Sequence, residues 1–273
     1  MKGYAKPLHE FIEGHKIQFV IPVYQRNYDW LIDNCDQLFS DLVKLSRSNR
    51  CSHFFGSIVT SSADSSYNRL VIDGQQRLTT ISLLLLAGIK AVKDGAIEIS
   101  EESKIDEAYE VFLKAKFCNS ERKIKLVPIE NDRIAYDKIF NEEDSFDEDS
   151  KVTRNYRHFY DLLTRKPQAL SFDQLLDAIE RLQIISIELD SDDDAQLIFE
   201  SLNSTGLALT EADKIRNYLL MSLTPEEQHM CFKNYWQKIE QATENQPTKF
   251  LRDYLTIQQQ LQQIGRASCR ERV

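Results

Sequence analysis

Apolar and polar positions alternate differently along the two parts of this chain, and one stretch joins both patterns. Over residues 69–87 a short β-branched run (Leu70, Val71, Ile72) meets Asp73-Gly74, after which Leu78, Ile81 and Leu85 recur at helical spacing among further apolar side chains. The pattern predicts a buried strand, a tight turn and a buried helix. Upstream, residues 1–16 read as a polar lead-in with a short helix. Residues 17–20 read as a strand closed by Ile21-Pro22, because proline lacks the amide a central strand needs. Residues 30–45 carry helical spacing (Ile32, Leu38, Phe39, Leu42, Leu45), with Asp29 as the expected cap. Residues 53–60 form a strand that pairs as a hairpin with 69–72 across a polar turn, and Gly56 within it marks a bulge or the close approach of another group.

Beyond Val92 the period changes. Helices are expected over 101–117, 132–140, 151–165 and 171–180, and strands over 123–129 and 183–189. Residues 141–150 hold six carboxylates in ten positions and read as a solvated loop. The expected organisation is an α/β domain over 1–92 and a mostly helical extension over 93–263. Residues 264–273 break the glutamine-rich helical pattern before them and resemble translated vector sequence, so they are set apart as a non-native tail.

Composition narrows the classes. With 273 residues, 42% hydrophobic and 28% charged, the chain is an ordinary globular sequence long enough for a sizeable core. A net charge of −9 excludes a broadly basic surface, so contact with DNA requires a local basic groove. Five cysteines (Cys35, Cys51, Cys118, Cys231, Cys269) are odd in number and lack a CxxC pair, which argues against both a disulfide framework and a zinc site and fits a reducing cytoplasm. The apolar run over 81–91 is too short and interrupted to span a bilayer. The five histidines are dispersed without ligand-like spacing, and His53 reads as structural.

Candidate chemistry gathers at the turn. A helix that starts directly after a strand leaves its first amides unpaired and presents the positive end of its dipole, which is an anion site in outline. Gly74 permits a positive φ, Arg77 offers a planar fork for phosphate or carboxylate, Asp73 suits a metal-bound water or a ribose hydroxyl, and Gln75 and Gln76 add neutral donors and acceptors. The plain alternative is that Asp73 caps the helix while Arg77 pairs with a surface carboxylate. Residues 23–30 place three aromatics around Arg26, with Tyr24 and Gln25, and look like a pocket wall. A second polar loop, Asn203-Ser204-Thr205-Gly206, precedes a capping-box-like start at Thr210 and Asp213. Its side chains either satisfy two helix ends or close over a ligand held at the first turn.

Four segments occur in a telling order: Ile21-Pro-Val-Tyr-Gln-Arg-Asn-Tyr-Asp-Trp30, His53-Phe-Phe-Gly-Ser-Ile-Val59, Val71-Ile-Asp-Gly-Gln-Gln-Arg-Leu-Thr-Thr80, and Phe199-Glu-Ser-Leu-Asn-Ser-Thr-Gly206 continuing through Asp213 to Asn217. In that order they resemble the N-terminal domain of GmrSD-type restriction enzymes. The resemblance implies a ParB/sulfiredoxin-like α/β first domain with a helical extension. It also implies binding and hydrolysis of a nucleoside triphosphate, ATP or GTP with Mg²⁺, coupled to restriction of modified phage DNA. The implied motif residues are Asp73, Gly74, Gln75, Gln76 and Arg77. Tyr24, Gln25 and Arg26 are the matching wall, and Asn203, Thr205 and Asp213 are nucleotide-binding candidates. The nuclease of such systems is an HNH-like domain, C-terminal or separate, for which this chain has neither length nor a His-rich motif, so it reads as stopping early. A non-hydrolysing, nucleotide-regulated DNA-binding module is the alternative. A ParB-like nuclease acting directly on DNA is weaker, given the acidic balance and the lack of a metal-ligand cluster.

Overall fold

The computed structural model describes residues 1–62, 67–117, 123–143, 145–165, 170–190, 192–203, 209–244 and 246–270, and the side chains of all these except Glu200, Leu202, Asn203, Pro225 and 261–270. In chain order the elements are β1 (Lys2–Pro7), α1 (Leu8–Ile12), β2 (Gln18–Val20), α2 (Ile32–Arg47), β3 (His53–Ser62), β4 (Asn68–Asp73), α3 (Gln75–Lys93), α4 (Ser103–Ala108), β5 (Leu126–Val127), α5 (Glu130–Phe140), α6 (Lys151–Thr164), α7 (Phe172–Glu180) and β6 (Leu182–Leu189). There follow α8 (Ala195–Asn203), α9 (Glu211–Leu220), α10 (Pro225–Cys231), α11 (Gln237–Ala242) and α12 (Pro247–Arg270). π-Helical turns at Tyr109–Leu113 and Phe232–Trp236 extend α4 and join α10 to α11.

The six strands form one mixed sheet in the order β1-β6-β3-β4-β2-β5. β3 pairs antiparallel with β4, as the hairpin pattern requires, and parallel with β6 on its other side. Ile58, Val59, Val71 and Ile72 are buried where the two hairpin strands meet. α3 is apolar on nearly every side and is buried from Leu78 to Ala87, with α6 and α7 packed against it; a helix without a polar face finds its solvent inside the protein. The fold is thus α/β with a helical extension.

The expected boundary near residue 92 does not coincide with the division of the structure. One compact unit comprises Met1–Pro22 and Arg26–Ala195, the other Val23–Gln25 and Gln196–Val273. The reason is the sheet. β6 lies between β1 and β3, so a cut at residue 92 would remove an interior strand, and α6 and α7 cover the helix that ends at Lys93.

Other departures have local causes. β1 pairs along its length with β6, from Lys2↔Glu188 to Pro7↔Gln183, yet its polar, proline-ended sequence lacks an alternating apolar face because it is an edge strand. Asp29 does not cap α2. Leu31 occupies the N-cap, its amide donates to Asn34 Oδ1 at 2.9 Å, and Asp29 pairs with Lys151 instead. The strand expected over 123–129 shrinks to Leu126–Val127, with an isolated bridge between Lys114 and Ile124. α12 continues to Arg270 without breaking at Ile264. Among the described residues no helix is long and apolar enough to cross a membrane.

Candidate functional site

The turn between β4 and α3 adopts the predicted form. Gly74 sits in the left-handed region (φ 100°, ψ 5°), where a Cβ would come within 3.0 Å of Ile58 Cγ1 and 3.3 Å of its Cα, so backbone conformation and space both require glycine. Leu78 N–H donates the first helical bond, to Gly74 O at 3.0 Å. The amides of Gln75, Gln76 and Arg77 come before that bond and form the donor end of a 19-residue helix.

Arg77 turns back over β3. Its Nη1 donates to Ser57 O at 2.9 Å and stands 3.6 Å from Asp73 Oδ2. The guanidinium lies on Gly56, where a Cβ would fall 2.6 Å from Nε and 2.9 Å from Cζ. Gly56 has φ +120°, and the β3–β6 register slips between Phe54 and Gly56. The glycine expected to mark a bulge or a close approach does both. The Asp73 carboxyl is pushed above the usual carboxylate range by burial, against the opposing pull of Arg77, the Gly74 amide and Arg26. The Arg26 side chain has no hydrogen-bond or ion-pair partner among the described residues, and acts on Asp73 through its charge. Two guanidinium groups therefore act on one partly buried carboxylate, and the Arg77 side chain keeps 29% of its surface open.

The glutamines have a different occupation from the one expected of them. Gln76 Oε1 accepts from the amides of Asp29 (2.8 Å) and Trp30 (3.2 Å), while its Nε2 donates to Asn27 O at 3.2 Å. Gln75 Nε2 donates to Arg26 O at 2.9 Å. Both amides tie the 26–30 loop to the first turn of α3, and Gln76 has spent both its ends on that backbone. Deeper in, Tyr28 Oη meets Thr80 Oγ1 at 2.7 Å and accepts from Asn155 Nδ2 at 2.9 Å, and Asn155 also donates to Trp30 O. Asp132 Oδ2 accepts from the Tyr28 amide at 2.6 Å, and burial raises its carboxyl to about 6. A fully engaged polar network of this kind fixes a loop in one conformation.

The family model described as the GmrSD restriction endonuclease, N-terminal domain, matches residues 8–220. The chain belongs to that family. A comparison with curated proteins gave no match. The region shared with the GmrSD family takes in the turn with Gly74, Gly56 beneath Arg77, the 26–30 loop and α9, and it stops at the end of α9.

The other candidates of this GmrSD-family chain belong to the second unit or fall outside the described residues. Thr205 and the Asn203 side chain fall outside the described residues. Tyr24 and Gln25 are buried and belong to the second unit, whereas Arg26 belongs to the first. Asp213, in the second unit, closes the capping box: Thr210 Oγ1 accepts from Asp213 N at 3.1 Å and Asp213 Oδ2 accepts from Thr210 N at 3.0 Å. Its other oxygen accepts from Arg216 Nη2 at 2.7 Å. Arg216, 6% exposed, also donates Nε to Tyr24 O and Nη1 to Glu240 Oε1, both at 2.8 Å, and its guanidinium lies 5.9 Å from the Trp236 ring. The local pattern did not single out this arginine, because Glu240 and Trp236 are too far along the sequence to signal it. Neighbouring Asn217 is 3% exposed and its Oδ1 has no partner among the described residues.

Proposed function

We propose that this chain is the nucleotide-binding and hydrolysing sensor of a restriction system that acts on modified DNA. The Arg77 guanidinium, laid over the bare Gly56 beside the amides that open α3, is the observation that carries the reading. A phosphate chain meets three matched groups here: the fork of Arg77, the Arg26 guanidinium, which makes no hydrogen bond among the described residues, and unpaired backbone N–H donors. Binding would draw Arg77 from Asp73, to which it is only loosely joined at 3.6 Å.

The donor set also fits a magnesium ion in its usual nucleotide-site mode. Mg²⁺ takes one or two protein carboxylates together with substrate phosphates, and Asp73 is the carboxylate in place. Bound there, the ion would neutralise charge on the phosphates. Asp73 would hold its water, Gln75 and Gln76 would keep Arg26 against the turn, and Arg77 would contact the phosphate.

A second reading, a non-hydrolysing regulator with the nucleotide as effector, is favoured by Gln76, whose amide is committed to the loop. Turnover separates the two. Thermal shift with ATP and GTP, each with and without Mg²⁺, should raise stability by about 2.7 kcal/mol at a hundred times Kd; phosphate release by the same samples then tells hydrolysis from regulation. DNA and a nuclease complete the proposed system. Among the described residues no group of three His, Cys, Asp or Glu could hold a metal ion, so the chain alone is expected to leave DNA uncut with Mg²⁺ or Mn²⁺. Cleavage that copurifies with the chain and vanishes in an Arg77 variant would overturn this assignment.

A further inference from the structure

A cavity of about 610 Å³ opens in the first unit between the last turn of α2 and the start of β3, with Asp41, Lys44, Arg47, Ser48, Arg50 and His53 among its walls. Four of these, at positions 44, 47, 50 and 53, recur every third residue and are cationic or able to become so. Lys44 and Arg47 have a structural reason for their charge, since cations in the last turn of a helix oppose its dipole. Arg50 and His53 lie beyond the helix and have no such reason. Asp41 is the one carboxylate in the wall, 3.4 Å from Lys44 Nζ and 3.8 Å from His53 Nε2. The side chains of Arg47 and Arg50 have no partner among the described residues. The loop that carries them is nonetheless fixed: Arg181 Nη1 donates to Arg50 O at 3.1 Å, and His53 N–H donates to Arg181 O at 3.1 Å.

The chemistry of the wall selects its ligand. In a chain with net charge −9 it gathers three fixed positive charges against one negative, which calls for an anion. Among the described residues no Phe, Tyr or Trp lines it, and what a nucleobase could stack on is limited to the His53 ring and the guanidinium planes of Arg47 and Arg50, so phosphates are the better-matched partner. The cations are spread from the last turn of α2 (Lys44, Arg47) through the following loop (Arg50) to the first residue of β3 (His53), with Lys44, Arg47 and Arg50 exposed. Charges spread over several positions suit a chain of phosphates better than a single one.

We propose that Lys44, Arg47, Arg50 and His53 form a contact site for the phosphodiester backbone of duplex DNA. It rests on the reading of this chain as a DNA-sensing component and gives that reading its basic groove. The contacts position the duplex and carry no sequence information.

The test uses the full chain, a fluorescent duplex and anisotropy titrations at several salt concentrations. Lys44→Gln/Arg47→Gln/Arg50→Gln should weaken binding equally for modified and unmodified duplexes and flatten the slope of log K against log salt by about 2 to 3, at about 0.9 per lost phosphate contact. Asp41→Asn, which removes the opposing charge and none of the cations, should tighten binding. Unchanged affinity and slope in the triple variant overturn the proposal, as does a wild-type chain that binds no duplex. Competition by inorganic phosphate that the triple variant abolishes, with duplex binding intact, would make the cavity a small-anion site and also overturn it. The nucleotide-induced thermal shift is read on the same variants; it depends on Arg77, so its loss or survival judges the nucleotide function separately.

Discussion

Two arginines, one in each unit, each paired with an aspartate one helical turn away, show how the same chemistry can be left open or closed. Arg216 is buried, and each of its nitrogens has an acceptor: Tyr24 O, Glu240 and Asp213, with Trp236 against the guanidinium face. Arg77 is partly exposed and gives one nitrogen to a single carbonyl, while its aspartate stands off at 3.6 Å. The first arrangement has used its hydrogen-bonding capacity on the protein. The second has capacity left, and glycine in place of a side chain at position 56 keeps room for it. An acid–arginine pair at helical spacing therefore indicates a ligand site only when the fold leaves donors unspent.

The largest expected effect breaks the closed case. Arg216→Ala leaves Asp213 and Glu240 half-compensated in a buried setting, and breaking such a pair costs about 3–5 kcal/mol. Urea denaturation should show the loss, and Arg216→Lys should restore little of it, because one ammonium cannot reach three acceptors in a plane.

Asp132 sharpens the contrast from the other side, since it holds the loop beside Arg77 through the Tyr28 amide. Its folded-state pKa is raised from 3.8 to about 6, so its protonated form is favoured in the fold, and the stability it confers is present below pH 3.8 and lost as pH rises through about 6. Asp132→Asn should match the wild type near pH 3.5, gain on it as pH rises from about 4 to about 6, and keep a constant lead above that. The ceiling on that gain is about 3 kcal/mol, at 1.36 kcal/mol per pKa unit. Tm differences between the two proteins across that range decide it; a constant difference would mean that Asp132 does not titrate there.

For the open case, Arg77→Ala should leave the fold intact and weaken nucleotide binding at least about tenfold, as the loss of a charge-assisted bond of about 1.5–3 kcal/mol requires. Equal nucleotide affinity in the folded variant would remove the arginine from the site. Gly56→Ala is the subtlest: it should cost about 1–3 kcal/mol of stability through its positive φ and displace the intact Arg77, so nucleotide affinity falls although the guanidinium remains. Isothermal titration of both variants separates loss of the charge from loss of its seat.

The strand, turn and helix over 68–93 were legible because local period and the Asp73-Gly74 pair specify them, and Gly56 announced a close approach. The identity of its visitor was not legible, since Arg77 reaches Gly56 across the hairpin. The bonds of Gln76 were not legible for the same reason: its partners lie 46 to 49 positions away, at Asn27, Asp29 and Trp30, and nothing in its own neighbourhood announces them. The domain boundary failed because a change of period at residue 92 reflects helices that cover the sheet, and such helices do not begin a new body.

The position of β6 has a consequence for how the chain is made. Its parallel pairing with β3 joins His53 to Leu182 and Ser61 to Leu189, so the middle of the sheet closes only after β6, which begins 129 residues beyond His53, has left the ribosome. Pairing over so long a separation carries a large loop-closure entropy and slows folding. The strand that seats Arg77 therefore waits, with its β6 edge unpaired, for a partner synthesised far later. During that interval the edge is open to other chains, and a holdase that shields it would protect the nascent protein from aggregation.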